Sequence, residues 1–149
     1  MLEDIQIRFA EEADLQAIRE LVVELAIFEK EPDAVKATLT DYKQAFSSGL
    51  ITMLVAELEG KIIGMTLYYD TFSTWRGKML YLEDFVVKEQ YRSRGIGDLL
   101  FDATLADAKA RGCKLMKWQV LDWNTGAQKF YERKKAIVEK EWWNGKIVF

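Results

Sequence analysis

The twenty-letter stretch KMLYLEDFVVKEQYRSRGIG, from Lys78 to Gly97, constrains this chain more than any other part of it. Its first half is rich in aromatic and β-branched residues and predicts a strand over Lys78 to Val87. Its second half, Arg92-Ser93-Arg94-Gly95-Ile96-Gly97, opens the clearest predicted helix, Ile96 to Arg111. That helix places Ile96, Leu99, Leu100, Ala103, Ala106 and Ala110 on one side, with Gly112 as its stop. A strand, a glycine-bearing loop and a helix N-terminus in succession form an anion seat, because open backbone amides and the helix dipole converge there. Two carboxylates, Glu83 and Asp84, interrupt the strand just upstream. Neighbours on a regular strand point to opposite faces, so Glu83 is expected beside Tyr81 and Phe85, and Asp84 beside Leu82 and Val86.

The loop chemistry narrows the anion. A phosphate loop of the Gly-Lys-Ser/Thr type is absent, and a dinucleotide fingerprint would need a small residue where Leu100 stands. What survives is a pyrophosphate seat: glycines let the backbone close on the anion, and Arg92 and Arg94 add charge to its rim. The competing view is a simple turn with solvated arginines.

The count of histidines is zero. That removes Ser-His-Asp and Cys-His catalysis and histidine metal sites, so proton transfer falls to carboxylate, tyrosine, lysine, cysteine or water, and no metal is expected. Cys113 is the single cysteine, which fits a small buried residue and a reducing cytoplasm. The formal net charge of −3 gives no reason to expect nucleic acid or an anionic membrane as partner. No apolar run approaches the roughly 20 residues of a membrane helix, and the acidic start lacks the features of a signal peptide. A length of 149 residues predicts one domain spanning 1–149.

Along the chain, Ile5, Ile7 and Phe9 alternate as a first strand with one buried face. Asp14 can cap a helix with apolar positions Leu15, Ile18, Leu21, Val22, Leu25 and Phe28, ended by the segment before Pro32. A weaker helix is expected over Ala34 to Ser48, closed by Gly49. Strands over Leu50 to Leu58 and Ile62 to Tyr69 form a hairpin across Glu59-Gly60-Lys61. Asp70 to Gly77 reads as a loop with two aromatics. Leu115 to Leu121 reads as a strand, Asn124 as the cap of a helix reaching about Lys134, and Ile137 to Phe149 as a hairpin around Asn144-Gly145. Asn124 and Tyr131 fall on one helix face two turns apart, which fits a capping Asn and a core Tyr as well as a site.

Taken together, these segments resemble the GNAT superfamily of N-acetyltransferases, and within it the diamine (spermidine/spermine) and thialysine branch. The resemblance covers almost the whole chain. It rests on ELAIFEK at Glu24 to Lys30, STWRG at Ser73 to Gly77, YLEDF at Tyr81 to Phe85, YRSRGIG at Tyr91 to Gly97, VLDWN at Val120 to Asn124, and Phe130-Tyr131.

The resemblance implies the GNAT fold, an α+β arrangement whose central mixed, mostly antiparallel sheet has helices on both faces. It implies acetyl-CoA as co-substrate, with the pyrophosphate on Arg92, Ser93, Arg94, Gly95, Ile96, Gly97 and Asp98. The pantetheine arm would run along Phe85, Val86 and Val87, with Asn124, Thr125, Gly126 and Ala127 opposite. Tyr131 corresponds to the general acid beside the thioester sulfur. Phe28, Glu29, Trp75 and Glu83 correspond to the acceptor side, with Lys117, Trp118 and Gln119 adjoining and Asp84 an assisting carboxylate. A homodimer is implied as well.

The acceptor implied is a small cationic amine, either a polyamine or diamine or a thialysine- or lysine-like molecule. Alternatives are a protein amine, an aminoglycoside, or a CoA-binding module without turnover. One departure stands out: Lys135 occupies the position where the family has glycine after the tyrosine helix. Lysine does not favour a left-handed cap, so a different turn is expected there. An ordinary glutamate near pKa 4.3 is about six pH units below an alkylammonium near 10.4, so Glu83 is expected to work through water or to hold the cation.

Overall fold

A computed structural model describes residues 2–149. The chain falls into two compact units, one running to Gln119 and the other spanning Val120–Phe149. The first unit holds a five-stranded sheet in the order β1 (Gln6–Phe9), β2 (Thr52–Leu58), β3 (Lys61–Ser73), β4 (Gly77–Val87) and β5 (Leu115–Lys117). The first four strands are antiparallel neighbours, and β5 joins β4 in parallel, as a mixed and mostly antiparallel sheet requires.

Helices cover both faces. Met53, Val55, Met65, Leu67 and Val86 turn to one side, where they meet Leu15, Ile18 and Leu21 of α1 (Leu15–Phe28). Each fully buried aliphatic side chain is worth about 1.5–3 kcal/mol, so this stripe fixes α1 to the sheet. α2 (Leu39–Ser47) packs beside α1 through Leu39, Tyr42 and Phe46. The opposite face meets α3 (Ile96–Ala110), where Thr66 and Thr104 share a buried hydroxyl hydrogen bond of 2.8 Å. Tyr68 Oη donates to Asp107 Oδ2 at 2.6 Å on the same face. No helix among the described residues is long and apolar enough to cross a membrane.

Several boundaries differ from expectation, each for a local reason. α2 begins at Leu39 rather than Ala34 because Thr38 and Asp41 form a reciprocal capping box, which sets the first turn there. The expected loop from Asp70 to Gly77 is mostly strand: Thr71 pairs with Met79 and Phe72 with Lys78, leaving only Thr74 to Arg76 to turn. β5 stops at Lys117 instead of Leu121. Phe9 remains 55% exposed, since the facing α3 positions are the small Ala103, Ala106 and Ala110.

The second unit contains α4 (Thr125–Arg133). The expected terminal hairpin around Asn144-Gly145 is not formed, and residues 137–149 carry no strand. Ile137, Trp143, Ile147 and Val148 are all at least 80% exposed, so no apolar face is buried to hold a two-stranded ladder together.

Candidate active site

The carboxylates occupy a β-bulge. Tyr68 pairs with Leu82, and the preceding Leu67 pairs with Asp84, so Glu83 is an extra residue opposite no partner. The bulge reverses the alternation of β4. Tyr81, opposite Tyr69, and the bulged Glu83 lie on the α1 side; Asp84, opposite Leu67, then takes that same side with Val86. Phe85 goes to the other face and packs on Phe101 of α3, with ring centres 5.9 Å apart. The expectation from regular alternation is therefore overturned. Glu83 and Asp84 share one face, and Phe85 does not stand with Glu83.

Their environments differ. Glu83 is exposed and accepts from Tyr69 Oη at 3.4 Å, and the Tyr69 ring stacks on Tyr81 at 5.6 Å. Burial, with the negative charge of Glu83 next, pushes the Tyr69 hydroxyl up to about 12. Asp84 is pushed up to about 7, first by burial and then by the charges of Glu83 and Glu29. Glu29, the residue after α1, is itself raised by burial. From α2, Tyr42 is raised by burial and by the charge of Asp84. Three carboxylates thus meet among tyrosines, one of them balanced between protonation states near neutrality.

Just beyond, the backbone turns into α3 through two left-handed residues. Ser93 and Gly95 both adopt left-handed conformations, φ 62° and 86°, and Gly95 is the N-cap of α3. The first intrahelical bond runs from Leu99 N to Gly95 O at 3.2 Å, so the amides of Ile96 and Gly97 have no intrahelical partner. Alternating left-handed residues make an anion-binding concavity, and the helix dipole adds to it. Arg92 Nε donates to Val87 O at 2.9 Å while its guanidinium lies 5.2 Å from the centre of the Phe28 ring. Lys88 Nζ pairs with Glu24 Oε2 at 3.1 Å, so α1, β4 and the loop are tied at one place.

β4 and β5 are paired only from Met79/Leu115 to Tyr81/Lys117. From Leu82 to Val87, β4 has no strand on its β5 side among the described residues. The rings of Phe85, Phe101 and Trp118 succeed one another there, with Trp118 edge-on to Phe101 at 5.6 Å. Lys117 and Gln119 flank Trp118 and are exposed. Trp75 stands apart at the β3–β4 turn, 88% exposed, and Gly77 to Glu83 spans about 20 Å of extended strand. Within one chain it does not join the carboxylates.

In the second unit, Asn124 Oδ1 accepts from Ala127 N at 3.1 Å, capping α4, with Thr125 and Gly126 in its first turn. Tyr131 is buried, and its ring meets Phe130 edge-on at 5.5 Å. Lys135 adopts φ 62° after all. Lys135 N bonds to Glu132 O at 2.9 Å and Ala136 N to Tyr131 O at 3.0 Å, the two bonds of a Schellman cap. The left-handed turn is formed without glycine, because the two backbone hydrogen bonds compensate a lysine's modest penalty there.

Tyr69 and Tyr42 bear on the acids without having been expected there, whereas Tyr81 stands on the side of Glu83 as expected. A cross-strand register with the bulge in place would have found Tyr69; nothing in the local sequence marks Tyr42.

A strand edge unpaired beyond Tyr81, a left-handed loop and the N-terminus of α3 thus lie in succession beside the two acids. Residues 15–135 match the acetyltransferase (GNAT) family, and the chain belongs to it. It is 36% identical to the thialysine N-epsilon-acetyltransferase of Bos taurus, over 94% of this chain and 89% of that protein. It is 35% identical to the spermidine/spermine N(1)-acetyltransferase-like protein 1 of Homo sapiens, over 89% of this chain and 20% of that protein. An aminoglycoside N-acetyltransferase solved in complex with CoA shares the fold, with a TM-score of 0.80 and 21% identity over 95% of this chain and 94% of that one. The chain is an N-acetyltransferase enzyme.

Proposed function

We propose that the protein transfers the acetyl group of acetyl-CoA directly to a primary amine of a small cationic acceptor, a diamine or polyamine or a thialysine- or lysine-like molecule. The observation that carries this is the bulge at Glu83, which puts Glu83 and Asp84 on one face, where Asp84 also feels the charge of Glu29 at the end of α1. Such a cluster attracts an alkylammonium, and similarity to thialysine and spermidine/spermine acetyltransferases supports the same acceptor class.

The residues present fit acetyl-CoA. Ser93 and Gly95 in left-handed conformations, the N-terminus of α3 at Ile96 and Gly97, and the guanidiniums of Arg92 and Arg94 suit a pyrophosphate. The β5 side of Phe85 to Val87 suits an extended amide-bearing arm. When bound, acetyl-CoA supplies an activated acetyl carbon and a thiolate leaving group. The carbon–nitrogen bond forms as the carbon–sulfur bond breaks, and the amine proton leaves towards carboxylate or water.

Asp84 takes the part of proton acceptor in this reading. An ordinary carboxylate is about six pH units below an alkylammonium near 10.4, whereas one held at about 7 is only about three below. Glu83 holds and orients the cation. A backbone N–H near Phe85 to Val87 polarises the acyl carbonyl. Tyr131 hydrogen-bonds the developing thiolate; full proton transfer from an ordinary tyrosine to a thiolate is uphill by about 2 kcal/mol. Association as a homodimer belongs to the same proposal and is supported by the exposed side chains of Ile137, Trp143 and Val148.

The test is thiol release from acetyl-CoA on adding spermidine, putrescine, lysine, thialysine or a lysine peptide. Turnover with the small amines is expected. Turnover confined to the peptide, or to an aminoglycoside added to the panel, would replace the proposed acceptor.

A further inference from the structure

Phe28 belongs to the acceptor side by family resemblance, yet its ring also meets the turn into α3. Arg92 lies over that ring, with the guanidinium carbon 5.2 Å from its centre, while Arg92 Nε donates to Val87 O at 2.9 Å. One turn earlier on α1, Glu24 Oε2 accepts from Lys88 Nζ at 3.1 Å. Glu24 and Phe28 are four residues apart, as are Lys88 and Arg92, so α1 meets this segment at two successive points. A Schellman cap closes α1: Lys30, at φ 64°, donates through its amide to Ile27 O at 3.0 Å, and Glu31 N donates to Ala26 O at 2.8 Å. Phe28 is the last residue of the helix, so the backbone beneath its ring is held.

Arg92 is exposed, and an exposed arginine gives up much rotamer freedom when a ligand orders it. Here the ring and the Val87 carbonyl have already restricted it. A guanidinium carries five N–H donors in one plane. Nε–H is used on Val87 O, and the Nη donors make no hydrogen bond among the described residues. Those Nη donors form the edge that can pair with two phosphate oxygens side by side.

We propose that Phe28 is a positioning residue for the cofactor: its ring holds the Arg92 guanidinium so that the Nη edge is preset for the pyrophosphate of acetyl-CoA. The effect of Phe28 on the cofactor passes through Arg92. It requires a ring, since leucine fills similar space but offers a cation no π face.

This role rests on the placement of acetyl-CoA proposed above, and the test separates the two. CoA binding is measured by calorimetry, with no amine present, for the parent, Phe28→Leu, Phe28→Tyr, Arg92→Ala and the double variant with Phe28→Leu and Arg92→Ala. Phe28 is 40% exposed, so neither replacement opens the core. Loss of the cation–π contact and of the preordering predicts that Phe28→Leu raises the Kd roughly four- to tenfold, while Phe28→Tyr stays within about twofold of the parent. Arg92→Ala should cost about tenfold or more, and adding Phe28→Leu to it should change the Kd by less than about twofold. Equal weakening by leucine in both backgrounds, failure of tyrosine to preserve binding, or no change with leucine overturns the role of Phe28. CoA binding indifferent to Arg92→Ala overturns that role and the placement of the pyrophosphate together. A parent that binds CoA but acetylates none of the amines overturns the proposed function, while the double variant still decides Phe28. A parent that binds no CoA overturns both.

Discussion

Replacing Asp84 with Asn tests the electrostatics of the site by way of stability. The carboxyl is held at about 7 in the fold against an ordinary 3.8, so the folded state keeps its proton where the unfolded chain has lost it. Stability contributed by this group is therefore greatest at low pH and declines as pH rises from about 4 to about 7, then levels off. A tenfold difference in proton affinity between folded and unfolded chain is worth about 1.36 kcal/mol, which puts the full cost of the ionised carboxylate at roughly 4 kcal/mol. An amide of the same shape carries no such cost. Asp84→Asn should gain on the parent by about 2–3 kcal/mol between about pH 5 and about pH 8, or roughly 5–10 °C in Tm for a chain of this size. Urea denaturation of both proteins at the two pH values measures it. A gap that does not change with pH would refute the account of Asp84 as a buried carboxyl crowded by Glu83 and Glu29. The same variant should lose most of its turnover while still binding acetyl-CoA, so the residue that weakens the fold is the one the chemistry uses.

Two further outcomes follow from the geometry. Tyr131→Phe should lower kcat by about tenfold or more with acetyl-CoA KM little changed, and an unchanged kcat removes Tyr131 from the reaction. Gly95→Val places a β-branched residue at φ 86° with its Cβ 3.2 Å from Leu2 Cδ1; it should raise the Kd for acetyl-CoA at least about tenfold while amine binding in calorimetry stays as in the parent.

Much of this was legible in the sequence, where local pattern and tertiary packing agree. The helix from Ile96 and the strand ending at Val87 announce themselves because apolar periodicity, a glycine and a stop signal coincide. The turn from Arg92 to Gly97 into α3 was legible for the same reason: glycine at a helix start is a local signal. Three things were not legible. The bulge at Glu83 depends on how β3 and β4 register, and nothing within β4 itself marks the irregularity. Tyr42 packs on the core cluster only because α2 folds beside α1. Lys135 shows the opposite limit, a position where residue preference pointed away from a left-handed turn and two backbone hydrogen bonds prevailed.

The bulge also separates what the sheet needs from what the site needs. Pass over Glu83 and β4 alternates without a break: Leu80, Leu82 and Phe85 towards α3, and Tyr81, Asp84 and Val86 towards α1. Every ladder partner of β3 is already matched without it. Glu83 is a supernumerary residue, one that could be excised while leaving the core side chains on the faces they now occupy. Its side chain is the exposed acid of the pair, so the contact proposed for the amine cation falls at the one position of β4 that lies outside the ladder.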